Sequence, residues 1–299
     1  MKKNIDKLLG LPALITAAVL WGTMGLFRRY IMLPSGMLAF ARGVLGALFL
    51  LLLYLVRRVH PDFAAIRKNG WKLLLSGLFL GLNWICLFEA YRYSISVAIV
   101  CYYMAPVFVT LVSPLLLKER LTVKKVICIV VAFAGATMVS IGGQGLQGAQ
   151  FQCVIFALIA AVFYAGVTVT TKMMHELPAV DCTVSQLAVA AAFLLPYTLI
   201  FERNAEMSFD PISIIFLIIV GILHTGGAFG LYFAAVGRLP AQTAALCSYI
   251  DPVVAILLSA VWFREPMGVW GVIGTVLVIG AALVGELDLS RRRKRGEDH

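Results

Sequence analysis

AIVCYYMAPVFVTLVSPLLLKERLTVKKVICIVVAFAGA, residues 98–136, and AALCSYIDPVVAILLSAVWFREPMGVWGVIGTVLVIGAA, residues 244–282, are two copies of one element. Set 146 positions apart, they share 13 identities in 39 positions without a gap: Ala98, Cys101, Tyr103, Pro106, Val107, Leu111, Ser113, Glu119, Val123, Val126, Ile127, Val130 and Ala136 each meet their like. Apolar composition accounts for coincidences at Leu, Val and Ala. It does not align Tyr103 with Tyr249, Pro106 with Pro252 and Glu119 with Glu265. A duplicated set of hydrophobic spans has a seam, and in a membrane a seam near the midplane is where a solute can bind.

Around this element the chain is uniformly apolar. Its 299 residues are 61% hydrophobic and 13% charged, with a mean hydropathy of +0.94; a soluble domain carries about 25% charged residues. Runs of roughly 20 apolar residues, the length of a membrane-spanning helix, occupy 11–32, 36–56, 71–91, 95–117, 124–142, 152–172, 180–201, 212–235, 241–263 and 268–287. The runs are continuous rather than alternating, which excludes a β-barrel. The expected fold is all-α and integral to the membrane, with ten spans. The first run follows Lys2, Lys3 and Lys7 as a signal peptide would. It is read as a retained span, because no small-x-small cleavage pattern follows it.

The net charge of +10 is explained by topology rather than by nucleic-acid binding. With the N-terminus inside, 19 of the 25 Lys and Arg residues fall on the cytoplasmic side and 5 on the other, while Arg42 lies within a span. This is the positive-inside bias of an inner-membrane protein with both termini cytoplasmic. The Arg291–Arg295 cluster then anchors the tail on anionic lipid. Cys86, Cys101, Cys128, Cys153, Cys182 and Cys247 show no zinc-ligand spacing and read as small packing residues. The only low-complexity stretch, Gly142 to Gln150, separates two halves of five spans each. Residues 1–142 form the first repeat, 143–150 a linker, 151–288 the second repeat and 289–299 a basic tail. Five is odd, so the second half enters the membrane from the opposite side, giving two inverted repeats. The longest connection, 57–70, reads as a basic cytoplasmic loop.

The repeated element, Tyr103-Met-Ala-Pro106 running to Lys118-Glu119-Arg120-Leu-Thr122, returns as Tyr249-Ile-Asp-Pro252 running to Arg264-Glu265-Pro266. With Trp21-Gly22 in span 1 and Arg42 in span 2, it resembles the EamA-like family of the drug/metabolite transporter superfamily over nearly the whole chain. The resemblance implies a ten-helix carrier of small metabolites with a central cavity lined by spans 1, 3, 4, 6, 8 and 9. It does not name the solute. The second copy departs from the first at Glu265-Pro266. Glu119 and Glu265 are expected to cap the helix that follows each and to pair with Lys118 or Arg264.

Ionisable groups inside a membrane are costly and mark candidate function. Asp251 stands beside Pro252 where the other copy has Ala105; it binds a substrate amine, relays a proton, or pairs with Arg42. Arg42 either snorkels outward or clamps a carboxylate. Glu89 has Arg92 three residues on, spaced for a local pair, and His224 in span 8 titrates near neutrality when unperturbed. Asp251, His224 and Glu89 are thus the candidates for proton or ion coupling. Trp21, Trp84, Tyr102, Tyr103, Tyr164, Tyr232 and Tyr249 lie within spans and form a candidate aromatic wall for an amphipathic solute, with Asn83 supplying an amide. Trp71, Trp262 and Trp270, near span ends, read as belt residues. Pro106 and Pro252 kink spans 4 and 9, either for gating or for packing.

No catalytic motif occurs, so no enzyme is expected, and neither a cofactor nor a metal. The function read from the chain is secondary transport of a small amphipathic metabolite, an amino acid or organic cation, by alternating access. The alternatives are a nucleotide-sugar or phosphate-ester carrier, and a non-transport scaffold or lipid-modifying protein. The expected partners are the solute and the lipid bilayer, with the chain a monomer or homodimer.

Overall fold

The computed structural model describes residues 2–28, 30–58, 60–93, 98, 101–119, 121–141, 151–174, 176–205 and 207–251, then 253–254, 257–258, 269–270, 272–274, 276–278, 280–281 and 284. Every regular element among them is helical: α1 (Lys2–Arg28), α2 (Ser35–Arg57), α3 (Phe63–Lys68), α4 (Gly70–Tyr93), α5 (Ala105–Leu116), α6 (Val123–Ile141), α7 (Phe151–Lys172), α8 (Ala179–Phe201), α9 (Pro211–Ile219), a π-helical segment (Val220–Gly227), α10 (Ala228–Arg238) and α11 (Ala241–Cys247). By length and composition, Ser35–Val56, Gly70–Ala90, Phe151–Lys172, Ala179–Phe201 and Pro211–Arg238 can each cross a membrane; Gly10–Met24 and Ala105–Leu116 are shorter apolar helices. Large apolar side chains such as Leu55, Leu115, Leu199 and Val276 stand exposed on the outside. In lipid that is their ordinary environment, since the backbone is satisfied inside each helix. Trp71 and Trp270 are also exposed, as belt residues are; Trp262 lies outside the described residues.

The connection at 57–70 is not a plain loop. Asp62 accepts a hydrogen bond from Ala65 N at 2.9 Å and nucleates α3. Three other helices, α2, α8 and α11, follow a proline, which has no side-chain oxygen to cap with, and at two of them a distant carboxylate does that work. Pro34 precedes α2, whose Gly36 and Met37 amides donate to Glu202 at 2.7 and 2.6 Å. Pro240 precedes α11, whose Ala241 amide donates to Glu119 at 3.0 Å. Glu119 therefore caps α11, 122 residues away, rather than α6, the helix that follows it. Thr122 serves α6 by accepting from Lys125 N at 3.4 Å. The expected cap by Glu265 lies outside the described residues.

Small residues set the closest helix approaches. A Cβ at Gly221 would lie 2.4 Å from Leu45 Cβ, and one at Gly226 would lie 2.8 Å from Phe49 Cδ1 and 3.0 Å from Gly46 O. On the other side of the bundle a Cβ at Gly77 would lie 2.5 Å from Val189 Cβ, and one at Gly81 would lie 2.8 Å from Phe193 Cδ1. α2 therefore packs on the π-helical segment as α8 packs on α4. α4 also packs on α7, α1 on α10, α2 on α8, and α5 on α11. Gly135 of α6 approaches Gly274, with a Cβ there falling 2.7 Å from Gly274 O. Cys153 and Cys182, near span ends in the sequence, are as buried as Cys128 and Cys247.

Candidate solute site

The described parts of both copies of the repeated element are interrupted by a turn. Tyr103 and Met104 form a turn, α5 starts afresh at Ala105, and Pro106 sits buried in its first turn, where a missing amide costs nothing. In the second copy α11 ends at Cys247, Ser248 and Tyr249 form the turn, and helix resumes at Ile250 and Asp251. Pro252 itself lies outside the described residues. The two breaks meet: Tyr249 Oη donates to the Tyr103 carbonyl at 2.9 Å, and their rings lie 6.1 Å apart.

From that junction the aromatic side chains continue as one series of contacts. Tyr103 adjoins Tyr102 (6.5 Å between centroids), Tyr102 adjoins Tyr164 (5.8 Å), Tyr164 adjoins Tyr232 (6.1 Å) and Tyr232 adjoins Trp21 (5.1 Å). Phe229 then bridges Trp21 at 5.0 Å to Trp84 at 6.0 Å. All seven aromatic residues singled out in the sequence belong to this ladder. Phe229, which completes it, was not among them, because nothing distinguishes it locally from the apolar residues of its span. The hydroxyls are ordered. Thr168 donates to the Tyr164 carbonyl at 3.1 Å, so the 2.9 Å contact with Tyr232 has the Tyr232 hydroxyl as donor. Ser248 stands beside the hydroxyls of Tyr164 and Tyr232. Asn83 donates to Tyr102 Oη at 3.3 Å and to the Ala160 carbonyl at 2.8 Å, which joins α4 to α7.

Asp251 reaches the same region. Its carbonyl would lie 2.7 Å from a Cβ on Gly22, the neighbour of Trp21, so only glycine admits this approach of span 9 to α1. The Asp251 side chain is half-buried, and among the described residues no group bonds to its carboxylate.

The other ionisable candidates are placed differently. Arg42 is 5% exposed. Its Nε donates to Thr225 Oγ1 at 3.0 Å, its Nη1 lies 3.4 Å from Met24 Sδ, and its guanidinium carbon stands 4.6 Å from the Trp84 ring centroid. This is a stacked and hydrogen-bonded cation, neither snorkelled outward nor aimed at Asp251. His224 is 1% exposed and lies in the π-helical segment. The bulge turns its carbonyl toward Trp21 Nε1, which donates at 3.0 Å. Thr23 gives its hydroxyl proton to the Leu20 carbonyl at 2.6 Å and so accepts from His224 Nε2 at 2.7 Å. The His224 imidazole is thus tied to Thr23 through Nε2, with the Ile219 backbone also within its reach. Glu89 accepts from Tyr197 Oη at 3.2 Å; the Arg92 side chain lies outside the described residues. Gln186 donates to Ser76 Oγ and Thr171 Oγ1 and ties α8 to α4 and α7.

A multi-helix membrane fold with broken, proline-marked helices meeting at an interior aromatic site belongs to the class of membrane transporters. The model of the EamA-like transporter family matches residues 8–141 and again 151–285, and the chain belongs to that family. An uncharacterized transporter of Bacillus subtilis (strain 168), YxxF, is 29% identical over 274 residues, covering 90% of this chain and 87% of its own. A protein of Streptantibioticus cattleyicolor described as a "Probable terminal-alkyne amino-acid exporter" is 25% identical over 197 residues, 64% of each chain. A solved structure titled only "Crystal structure of protein" superposes with a TM-score of 0.81 at 22% identity, covering 97% of this chain and 98% of its own, a likeness of fold.

Proposed function

We propose that this multi-pass membrane transporter moves a small amphipathic solute carrying an ammonium group, of the amino-acid or organic-cation class, by alternating access between two inverted five-span halves. The observation that carries the reading is the aromatic ladder from Trp84 to Tyr249, with Asp251 packed through its backbone against Gly22 beside Trp21 and its carboxylate bonded to no group among the described residues. An ammonium group is attracted both to a carboxylate and to ring faces, while the ladder offers apolar surface to the rest of the molecule. A relative described as an amino-acid exporter agrees with that class. A phosphate-ester carrier needs several cations facing the site, whereas Arg42 is engaged by Trp84 and Thr225.

The inverted arrangement is supported by contacts that repeat at a constant offset. Leu45 on Gly221 corresponds to Val189 on Gly77, and Phe49 on Gly226 to Phe193 on Gly81. Each first-half residue lies 144 positions from its counterpart, except that Gly81 and Gly226 differ by 145, the added residue falling within the π-helical segment. The halves then exchange contacts as a two-fold requires: α2 with α8, α5 with α11, and α4 on α7 as α10 on α1. The basic residues on one side favour cytoplasmic termini.

The test is a thermal-shift screen of the purified protein against amino acids, amines and quaternary ammonium compounds, followed by flux in proteoliposomes. Asp251→Asn and Trp21→Ala should each abolish the shift given by the solute that binds. Full binding retained in both variants would move the site elsewhere. Flux through Asp251→Asn with an unaltered pH dependence would remove Asp251 from any proton-coupling role.

A further inference from the structure

Several buried polar side chains are not used by the solute site, and they gather at one end of the bundle. Tyr103 and Tyr249 meet where α5 and α11 begin and end. Thr110 of α5 lies seven residues after Tyr103 in the chain, and Gln242 of α11 lies seven residues before Tyr249. The first helix runs away from the tyrosine pair and the second runs toward it, so Thr110, five residues into α5, and Gln242, five residues before the end of α11, lie on the same side of that pair. The two helices pack on each other over this stretch. Thr110, Gln242 and Thr243 are each 2% exposed. Among the described residues Thr110 Oγ1, both polar atoms of the Gln242 amide, Thr243 Oγ1 and Glu119 Oε2 have no hydrogen-bond partner. A permanently closed apolar seam gains nothing from such groups, because each buried orphan opposes closure. A seam that opens to water gives them partners in its other state.

The end of this seam is tied rather than merely packed. Glu119 Oε1 accepts from Ala241 N, joining the end of α5 to the start of α11. Lys172, at the end of α7, donates to the Leu239 carbonyl just past α10, and its ammonium lies within electrostatic reach of Glu119. Four helix ends are thus held by two side chains of opposite charge.

We propose that the α5–α11 seam from the tyrosine pair to Glu119 is the cytoplasmic half of the solute path, shut in this conformation, with Glu119 as its latch and Thr110, Gln242 and Thr243 as its lining. The inference rests on the alternating-access reading. It adds which seam opens and what holds it closed.

The experiment uses the full chain in inside-out membrane vesicles. Thr110→Cys and Gln242→Cys are treated with a membrane-impermeant methanethiosulfonate, and modification is read by peptide mass spectrometry so that the native cysteines report in the same sample. Lys68→Cys on the basic side and Leu115→Cys on the lipid face are the labelled and unlabelled references. Slow labelling of both seam positions is expected, rising roughly tenfold or more when Glu119→Ala is added, because loss of the latch shifts the population toward the open seam. Glu119→Gln, which keeps an acceptor for Ala241 N but removes the charge facing Lys172, should give an intermediate rise in a protein whose gel-filtration profile is unchanged. Unaltered labelling in both Glu119 variants, or labelling from the opposite side only, overturns the proposal. If the seam stays shut in both variants while a solute still crosses, the latch fails and alternating access survives. If no solute crosses in any variant, the functional reading fails, and the labelling still decides whether the seam opens.

Discussion

Gly77→Ala and Gly221→Ala test the two-fold packing most directly. The added methyl at Gly221 would sit 2.4 Å from Leu45 Cβ, and the one at Gly77 would sit 2.5 Å from Val189 Cβ. Carbon atoms rest about 3.5–4.0 Å apart, so each helix pair must part by about 1 Å. A β-carbon cannot turn aside as the tip of a side chain can; the backbones themselves must move. Overpacking of this kind costs about 1–3 kcal/mol, against which the better helix propensity of alanine returns up to ~1 kcal/mol. Gly237 has open space around its Cβ position, so Gly237→Ala receives only the second term. The prediction is a change of sign: melting of the detergent-purified protein falls by about 2–8 °C for Gly77→Ala and Gly221→Ala and holds or rises for Gly237→Ala. Adding Leu45→Gly should restore Gly221→Ala but not Gly77→Ala, since it makes room at one site only. The reasoning is refuted if all three variants shift alike, or if Leu45→Gly rescues both.

Tyr249→Phe removes the donor to the Tyr103 carbonyl and should lower stability by about 1–2 kcal/mol with little change in volume, read from the same melts. Glu202→Ala leaves two α2 amides uncapped where Pro34 cannot replace it, and a loss of about 1–2 kcal/mol is expected, with Glu202→Gln intermediate. Phe229→Ala opens the ladder between Trp21 and Trp84; solute affinity should fall about tenfold or more, whereas exposed Trp71→Ala should leave it unchanged.

The membrane class, the helical spans and the doubling were legible because each leaves a local or periodic trace: runs of apolar residues, short connections, and Tyr103, Pro106 and Glu119 recurring 146 positions on. That seven aromatic side chains gather in the interior was legible in outline, since a tyrosine or tryptophan deep in an apolar run is conspicuous. Other features left no such trace. Phe229 is one phenylalanine among eighteen, and only its neighbours make it the bridge. Glu119 was expected to cap the nearest helix, as local spacing suggests, but its carboxylate meets Ala241, 122 residues away. The 57–70 connection was expected to be a loop, yet Asp62 starts a helix within it.

What the chain alone determined was therefore set by solvent and by repetition. Hydrocarbon requires long apolar helices, and a duplicated sequence calls for duplicated shape. What tertiary structure decided was how polar groups are paired across the bundle: Arg42 on Trp84 and Thr225, His224 turned by the π-helical segment toward Thr23 and Trp21, Glu119 on α11. A side chain withdrawn from water takes whichever partner the packed helices bring within about 3 Å, and that proximity is a property of helix packing rather than of sequence separation.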